Sequence, residues 1–529
     1  MKSVSFSQIP LLTGQRQRRW ILPGLLLLVG LYWSLTFREG HGWGGDFSLY
    51  IHHAINLLNG FPYGDTGYIL NPAVPIVSPQ NYPPVFPLLL APVIFLFGLN
   101  LTALKMVVVV CFVLFLAVFT ALIKRELPLL YLCAVIIVLG FNPYLWDFKD
   151  DIRSDIPFLL FVYVALYLIY HVPPHKRQER GAVAPAILTG LFFYLAYGTR
   201  TAGIVLPACL VGLDLLQQRK ITRFTLLAEL VFALGIIGQK LLFPSTDYAA
   251  QYTFDPAANL GHIIPYVKST SVLWDNGYND GVLLVISLVA LASAATAVWL
   301  RLRSRPTILE LFAFAYALVL VLWPVSQGIR FLIPIVPLFV FYTFYGIWQW
   351  GKWLPGNWSA RLFWGVTAVI LLSYGAKYTT LSFGALPSGV NQPESTALFE
   401  FVKEQTAETA VIIFRKPRVL ALYTGRASAI YNPEDSEAEQ WAFWREIGAT
   451  YAIVSQWDEP HWQEFINRHP ADFQLVYTNA DFRVYRIKAF PNSNEQRAEK
   501  NGRASLPLNH DTPTQKKPVA FSYGSQVKS

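Results

Sequence analysis

Asp46 is the first residue in the chain whose type and position could do chemistry. In "GWGGDFSLYIHHAINLLNG" (residues 42–60) it follows two glycines directly after a long apolar run. The residues after it recur at helical spacing as far as Gly60, so the carboxylate opens a predicted amphipathic helix. Asp is also a favoured helix N-cap. The sequence therefore supports two interpretations that do not exclude each other, a helix cap and a chemically active carboxylate.

A second concentration of charge lies in "WDFKDDIRSDIPF", where three carboxylates and two cations fall within seven residues. The charged residues are Lys149, Asp150, Asp151, Arg153 and Asp155. A solvated loop is the simplest explanation, because ionisable residues at the end of a membrane span reach water at little cost. Their density nevertheless makes them candidates for a site.

Three isolated cations interrupt apolar sequence at the predicted outer ends of spans. They are Arg200 in "YGTRTAG", Arg330 in "SQGIRFLIP" and Lys240 in "GIIGQKLLFP". Cations on the outer face run against the positive-inside bias, so the two arginines each need an anionic partner. Lys240 is of the same kind, or it reaches the lipid headgroups. Together these residues predict a site at the outer membrane boundary, with carboxylates for proton transfer and cations for a phosphate.

The composition is that of a multi-pass membrane protein. Of the 529 residues, 54% are hydrophobic and 14% charged, and the mean hydropathy is +0.38, which is too apolar for an ordinary soluble protein. Many of the residues behind the net charge of +9 form short basic clusters between apolar runs. Such clusters are typical of cytoplasmic loops, so the charge indicates topology and no nucleic-acid partner. The three cysteines lie in apolar runs without paired or metal-ligand spacing.

Eleven apolar runs, most of them near the roughly 20 residues that a bilayer requires, predict a polytopic α-helical membrane protein with about 11 transmembrane helices. The runs are 20–37, 101–123, 127–145, 156–171, 185–199, 201–217, 224–243, 280–300, 307–326, 331–350 and 361–382. The segment 85–98 is short and contains two prolines, so we expect a re-entrant or interfacial helix there. With "RQRR" on the cytoplasmic side, the basic loops are also cytoplasmic and the C-terminus is outside.

The domain organisation follows from these runs. Residues 1–19 are predicted to be a cytoplasmic segment and residues 20–382 a membrane domain. Residues 395–488 are predicted to form a small extracytoplasmic α/β domain, because helical patterns separate β-rich runs. The β-rich runs are "AVIIF" (410–414), "YAIVS" (451–455), "FQLVYT" (473–478) and "FRVYRIK" (482–488). Residues 491–529 are polar and predicted to be disordered.

The motifs that are missing from the sequence narrow the function. The sequence contains no P-loop and no dinucleotide-type glycine pattern after a strand, so nucleotide chemistry is not indicated. His52 and His53 are adjacent on a predicted helix, where neighbouring side chains point about 100° apart and make a poor metal pair. Zinc is therefore not expected, although one of the two histidines could line a pocket.

The membrane part, about residues 20–382, resembles the C-type integral-membrane glycosyltransferases, specifically the bacterial relatives of protein O-mannosyltransferases and of the aminoarabinose transferases that modify lipid A. The matching motifs, in order, are "GDFSLYIHHAINLLNG", "NYPPVFPLLLAPVIFLFG", "IRSDIPFLLF", "YGTRTAGIVLPA" and "IRFLIPIVPLF". The resemblance implies the C-type glycosyltransferase fold and a polyprenyl-phosphate sugar as donor on the outer leaflet.

The resemblance also implies roles for particular residues. The family's catalytic first-loop carboxylate matches Asp46, and its second acidic residue, at the start of a later span, best matches Asp155. Arg200 and Arg330 would hold the donor phosphate. Because the family pattern has one acidic residue in the second loop, the additional carboxylates here leave that assignment open by a few positions. The remaining residues assigned to substrate binding are Asp150, Asp151, Arg153, Lys240, Tyr50 and Tyr82.

The C-terminal part resembles the small extracytoplasmic domain that follows the spans in some bacterial members of the family. The motifs are "KPRVLALYTGRASAI" (416–430), "GATYAIVS" (448–455) and "FRVYRIK" (482–488). Gly425 and Arg426 either shape an acceptor groove or form a structural turn, and the turn is the favoured interpretation.

These observations predict a glycosyltransferase that moves a sugar from a polyprenyl-phosphate donor to a lipid, glycan or protein acceptor. The reaction would take place at the extracytoplasmic face of a bacterial inner membrane, with inversion of the anomeric centre. Membrane lipids are its other partners. The sequence does not decide whether the protein uses a divalent cation, because some proteins with this fold use a metal ion and others do not. No further cofactor is assigned. The alternatives are a lipid-linked glycan polymerase or ligase, a lipid or solute transporter, and a carbohydrate sensor. A transporter should have mid-span charges and internal repeats, and we find neither pattern in the sequence.

Overall fold

The computed structural model describes residues 15–74, 79–244, 256–278, 280–304, 306–323, 326, 328–355, 358–458 and 460–488. The helices, in chain order, are α1 (Gln15–Leu35), α2 (Gly45–Asn59), α3 (Val85–Phe97), α4 (Leu101–Ile123), α5 (Leu129–Gly140), α6 (Pro143–Asp147), α7 (Asp155–His171), α8 (Val183–Tyr197), α9 (Val205–Gln218), α10 (Arg223–Leu242), α11 (Pro256–Gly261), α12 (Ile263–Ser269), α13 (Asp280–Ser304), α14 (Ile308–Leu322), α15 (Ile329–Leu332), α16 (Val336–Trp353), α17 (Trp358–Tyr378), α18 (Pro393–Gln405), α19 (Pro417–Thr424), α20 (Glu437–Glu446) and α21 (Pro460–Arg468). The strands are β1 (Tyr68–Ile69), β2 (Val411–Ile413), β3 (Ala427–Ala429), β4 (Tyr451–Ser455), β5 (Phe473–Thr478) and β6 (Phe482–Ile487).

The chain divides into two compact units. Among the described residues, the helical unit combines 15–41, 83–244 and 256–386. The sheet unit combines the described residues of 42–82 and 387–488.

The helical unit contains the apolar runs that the sequence indicates, and each of the eleven lies largely in helix. Within the described residues, six helices are long and apolar enough to cross a membrane, or seven if a pair bent by 44° forms one span. The six are Leu101–Ile123, Arg180–Tyr197, Thr201–Gln218, Arg223–Leu242, Asp280–Ser304 and Trp358–Tyr378, and the bent pair is Leu129–Gly140 with Pro143–Asp150. Shorter apolar helices are Trp20–Leu35, Val85–Phe97, Asp155–His171 and Ile308–Leu322. The helical, membrane-spanning character of this part is confirmed, whereas a total of eleven spans stays a prediction.

Small residues allow close helix packing in the helical unit. A Cβ atom at Gly190 of α8 would lie 2.3 Å from the backbone oxygen of Ala228 in α10. A Cβ at Gly346 of α16 would lie 2.1 Å from the backbone oxygen of Ser293 in α13. In a membrane, apolar burial gives little drive for helix association, so such close backbone approach supplies the contact energy.

The sheet unit is built on a six-stranded sheet in the order β1-β3-β2-β4-β6-β5. The strands β1, β3, β2 and β4 pair in parallel, and β6 pairs antiparallel with both β4 and β5. All five residues of β4 are buried, as expected of a strand inside a parallel sheet. The four β-rich runs of the sequence coincide with β2, β4, β5 and β6. The strands β1 and β3 have only two and three residues, too few for a periodic pattern.

The sheet unit is larger than the predicted range 395–488, because residues 42–82 belong to it. The strand β1 pairs with β3, with Tyr68 opposite Ser428. Trp43 is enclosed by four aromatic rings whose centroids lie 5.5 to 5.9 Å from its own. The four rings belong to Phe399, Phe414, Trp457 and Phe482. The first loop and the C-terminal segment therefore share one core. The predicted disordered segment 491–529 lies outside the described residues.

Candidate active site

Asp46 lies in the first turn of α2, but it is not the N-cap. The N-cap is Gly44, which has extended backbone and no side chain to bond, and Asp46 is the second helical residue. The cap interpretation of the sequence is therefore wrong, because the helix begins at Gly45, whereas a cap at Asp46 would require it to begin at Phe47. The carboxylate still lies near the positive end of the helix dipole, and a quarter of its side chain (25%) is exposed.

Two side chains of the sheet unit, Tyr82 and Arg418, are linked by hydrogen bonds to this carboxylate. The Tyr82 hydroxyl donates a hydrogen bond of 2.7 Å to Oδ1 of Asp46. Nη1 of Arg418, in α19, donates to the Tyr82 hydroxyl at 2.9 Å and lies 3.8 Å from Oδ1 of Asp46. Nη2 of Arg418 donates to the carbonyl of Pro79 at 2.7 Å. The guanidinium is thus fixed at both ends beside the carboxylate.

Tyr82 is itself held by three neighbours. The Tyr63 hydroxyl donates to the Tyr82 carbonyl at 2.8 Å, and the Tyr82 backbone N–H donates to Nε2 of His53 at 3.3 Å. The ring of Tyr50 stacks on the ring of Tyr82 with centroids 4.6 Å apart. Tyr50 and Tyr82, both assigned to substrate binding from the sequence, therefore form a stacked pair of rings, and the hydroxyl of Tyr82 positions Asp46.

His53 holds Tyr82 and Tyr63 in place as a neutral side chain. Its Nδ1 lies 2.8 Å from the carbonyl of Tyr63 and so must donate, while Nε2 must accept from Tyr82. Burial lowers the pKa of His53 to about 3, and the hydrogen bond to Tyr63 offsets this only in part. Within the described residues, no group of three or more His, Cys, Asp and Glu side chains is arranged to hold a metal ion.

In the helical unit, Asp155 gathers the two outer-face arginines. It is the first residue of α7 and is buried (3% exposed). Its Oδ1 pairs with Nη1 of Arg200, and its Oδ2 pairs with Nη2 of Arg330 at 3.2 Å. Both arginines are 21% exposed. The sequence requires an anionic partner for each arginine, and both have this carboxylate as a partner. Two cations on one carboxylate leave an excess positive charge at this point.

Among the other charged residues predicted from the sequence, Arg153 lies near Asp155 and Lys240 does not. Arg153, 24% exposed, pairs with Asp151 at 3.3 Å, and its charge acts on Asp155. Lys240 is exposed in the last turn of α10 and forms no ion pair with any described residue. The structure brings together Asp155, Arg200 and Arg330 and does not join Lys240 to them.

Asp150 lies in a buried cluster of its own. Its Oδ1 accepts from the backbone N–H of Arg38 at 3.0 Å and its Oδ2 from Nε of Arg38 at 2.7 Å. Lys149 also pairs with it, and Nζ of Lys105 lies 3.5 Å from Oδ1. Both lysines and Asp150 are almost completely buried. Because this carboxylate is almost completely buried among the cations that it neutralises, it is not placed to contact a substrate as the sequence predicts.

Three cations that lie beside the predicted site carboxylates were not predicted from the sequence. Arg38 and Lys105 also lie at predicted outer ends of spans, so the positive-inside bias marks them in the same way as Arg200. Arg418 carried no such signal, because only the fold brings α19 to α2. Gly425 ends α19 in a left-handed conformation, and the adjacent Arg426 is buried with hydrogen bonds to Thr406 and to carbonyls. The structure thus has the turn that the sequence favours.

Solved structures of three proteins share this fold. ArnT from Cupriavidus metallidurans, bound to undecaprenyl phosphate, is 12% identical with a TM-score of 0.56, and the match covers 90% of this chain and 100% of that chain. The archaeal oligosaccharyltransferase AglB from Archaeoglobus fulgidus, in complex with an inhibitory peptide and a dolichol-phosphate, is 11% identical with a TM-score of 0.53, covering 84% and 70%. The arabinofuranosyltransferase AftD from Mycobacteria is 12% identical with a TM-score of 0.53, covering 89% and 42%.

No protein-family model and no curated protein sequence matches the chain. At these identities the structural likeness establishes the fold. The chain has the fold of the C-type (GT-C) membrane glycosyltransferases, as the resemblance of its motifs predicts.

Proposed function

We propose that this protein transfers a sugar from a polyprenyl-phosphate donor to a lipid, glycan or protein acceptor at the extracytoplasmic face of a bacterial inner membrane. The observation that carries the proposal is the position of Asp46, a partly exposed carboxylate held by Tyr82 and Arg418 in the first turn of α2. The fold supports it, because two of the similar structures contain a polyprenyl-type phosphate, as undecaprenyl phosphate and dolichol-phosphate.

In the proposed reaction, Asp46 is the general base. It takes the proton of an acceptor hydroxyl or amine while the acceptor's electron pair forms a bond to the anomeric carbon. The bond from that carbon to the phosphate oxygen breaks, and the electron pair leaves with polyprenyl phosphate. A single displacement of this kind inverts the anomeric centre. A positioned general base contributes about 10²–10⁴-fold to the rate.

The Asp155 cluster is proposed to stabilise the departing phosphate. Arg200 and Arg330 carry one positive charge more than Asp155 neutralises, and Arg153 adds to it. Guanidinium groups bind phosphate in two-point contacts, and charge fixed where the leaving group develops its own charge lowers the barrier. Asp155 then orients the arginines and is the second catalytic carboxylate of the proposal. Asp151 and Lys240 stay proposed substrate contacts, without a role in the chemical step.

The proposed topology has eleven spans, a cytoplasmic N-terminus, a re-entrant or interfacial α3 and an extracytoplasmic sheet unit. The apolar helices and the basic loops between them support it. Reporter fusions after residue 382 and after residue 305 should report opposite sides of the membrane. The same side for both would contradict the topology.

The function is tested by mass spectrometry of glycans, lipids and secreted proteins from cells with and without the protein. A sugar should be missing without it, and the molecule that lacks the sugar identifies the acceptor. Cells with Asp46→Asn should show the same loss although the protein is folded and present. Asp65→Asn, an exposed carboxylate of the same loop, is the matched control and should restore the sugar. Normal product in Asp46→Asn cells would refute the assignment, and loss of a long polymer in place of one sugar would favour a polymerase.

A further inference from the structure

We propose that Arg418 is a positioning residue that orients Asp46 and keeps it ionised, so that the C-terminal segment helps to build the candidate active site. This inference rests on the proposed function. It concerns a residue that touches the base and Tyr82 but lies too deep to touch a substrate, because only 4% of it is exposed.

The direction of the hydrogen bonds indicates how Arg418 orients Asp46. A guanidinium can only donate, so the Tyr82 oxygen must accept from Arg418. The single hydroxyl proton of Tyr82 is then directed to Oδ1 of Asp46. The carboxylate oxygen therefore receives a donor of fixed direction, and this geometry favours an ionised carboxylate in one rotamer. An ionised carboxylate is the form in which a general base must be held.

The charge of Arg418 favours the ionised form of Asp46. A buried cation is costly unless an anion and hydrogen bonds compensate it. The rings of Tyr68 and Tyr82 lie 5.0 and 5.3 Å from the guanidinium carbon, and the carboxylate 3.8 Å away is Asp46. Burial opposes the charged form, but Tyr82, Tyr68 and Asp46 together hold the pKa of Arg418 above its usual value. By the same coupling, the cation favours the charged form of Asp46.

Kinetics in membranes test the positioning role. Membranes from a host strain that lacks the protein are supplied with wild type, Arg418→Met, Arg418→Lys or Tyr82→Phe, and the transfer of the sugar identified above is followed against pH. Arg418→Met should lower kcat by about 10- to 100-fold with little change in KM, since only part of the general-base effect is lost. The acidic limb of its pH–rate profile should move to higher pH, because the carboxylate loses the cation that lies 3.8 Å from it. Arg418→Lys should restore the limb but not the full rate.

Arg426→Met is the matched control, because Arg426 is another buried arginine of the same unit, and its hydrogen bonds go to Thr406, Lys403 and Thr424. It should lower the amount of folded protein without moving the pH profile. Arg418→Met variants that behave like this control would overturn the inference. If wild-type membranes and membranes without the protein give the same products, the proposed function fails, and that result is distinct from an unmoved profile.

A second measurement needs no activity. In purified protein, Asp46→Asn should lower the melting temperature, because it leaves the buried Arg418 without its carboxylate. In the Arg418→Met background the same change should have almost no effect. Equal effects in both backgrounds would show that the two charges are not coupled and would refute the pairing on which the inference stands.

Discussion

Arg330 donates hydrogen bonds from Nη2 (3.2 Å) and Nε (3.3 Å) to Oδ2 of Asp155, which ties the short helix α15 to the first turn of α7. Arg200 binds the other oxygen of the same carboxylate. One buried carboxylate thereby aligns two guanidiniums that stand far apart in the sequence.

Weaker binding of the donor phosphate is expected when either arginine loses its charge. A charge-assisted hydrogen bond is worth about 1.5–3 kcal/mol, so Arg330→Gln should weaken inhibition of transfer by added undecaprenyl phosphate by about 10- to 100-fold. Arg330→Lys should weaken it less. Arg303→Gln is the control, because this exposed arginine stacks on Trp299 and has no ion pair with a described residue. Equal inhibition of Arg330→Gln and wild type would contradict the phosphate assignment.

Asp155→Asn should destabilise the helical unit. Removal of one partner from a buried ion pair costs about 3–5 kcal/mol, and here two guanidiniums lose their carboxylate. Thermal unfolding of the purified protein in detergent measures the effect. Asp275→Asn provides the comparison, because Asp275 pairs with Lys377 at 2.7 Å while about a third of each side chain is exposed. Such a pair contributes about 0–1 kcal/mol. If the two variants melt at the same temperature, Asp155 does not clamp the arginines as the structure indicates.

Deletion of residues 395–529 should disrupt the first loop as well as the C-terminal segment. The strand β1 would lose its neighbour β3, and Trp43 would lose the rings that enclose it. Limited proteolysis should then cut within residues 42–74 more readily than in the full chain, and sugar transfer should be abolished. Deletion of 491–529 alone should change neither result. A truncated protein that still transfers sugar would show that the first loop folds without the rest of the sheet unit.

Acid should destabilise the sheet unit through His53. The folded-state pKa of about 3 lies below the ordinary value of 6.5, so below pH 6.5 the unfolded chain binds a proton that the folded chain does not. The contribution of neutral His53 is complete above pH 6.5 and falls by about 1.4 kcal/mol per pH unit as the pH decreases towards 3. His53→Asn keeps a donor for the Tyr63 carbonyl but cannot be protonated. Its melting temperature should fall less steeply between pH 6.5 and 4 than that of wild type, and parallel curves would contradict the assignment.

Much of the fold follows from local patterns. Apolar runs of span length gave helices because a membrane leaves the backbone no other partner, and the β-rich runs gave β2, β4, β5 and β6. The partner of Arg200 and Arg330 was also accessible to reasoning, since a cation on the outer face requires an anion. These features depend on residue types within one segment or on a general rule of charge.

The parts that were missed depend on contacts between distant segments. The strand β1 has two residues and is defined only by its pairing with β3. Arg418 stands in an ordinary helical pattern, and its value appears only when α19 packs on α2. The N-cap assignment of Asp46 failed for a smaller reason, because helix ends read from sequence are uncertain by a residue or more and a glycine began the helix first.

The shared core of residues 42–82 and 387–488 sets an order of events during synthesis. Asp46 is synthesised about 370 residues before Arg418, which belongs to the segment that also encloses Trp43. At about 5–20 residues per second, roughly 20 to 75 seconds pass before Arg418 is synthesised. A nascent chain therefore carries an incompletely organised carboxylate until the last strands form, and a ribosome that stalls before α19 leaves Asp46 without Arg418.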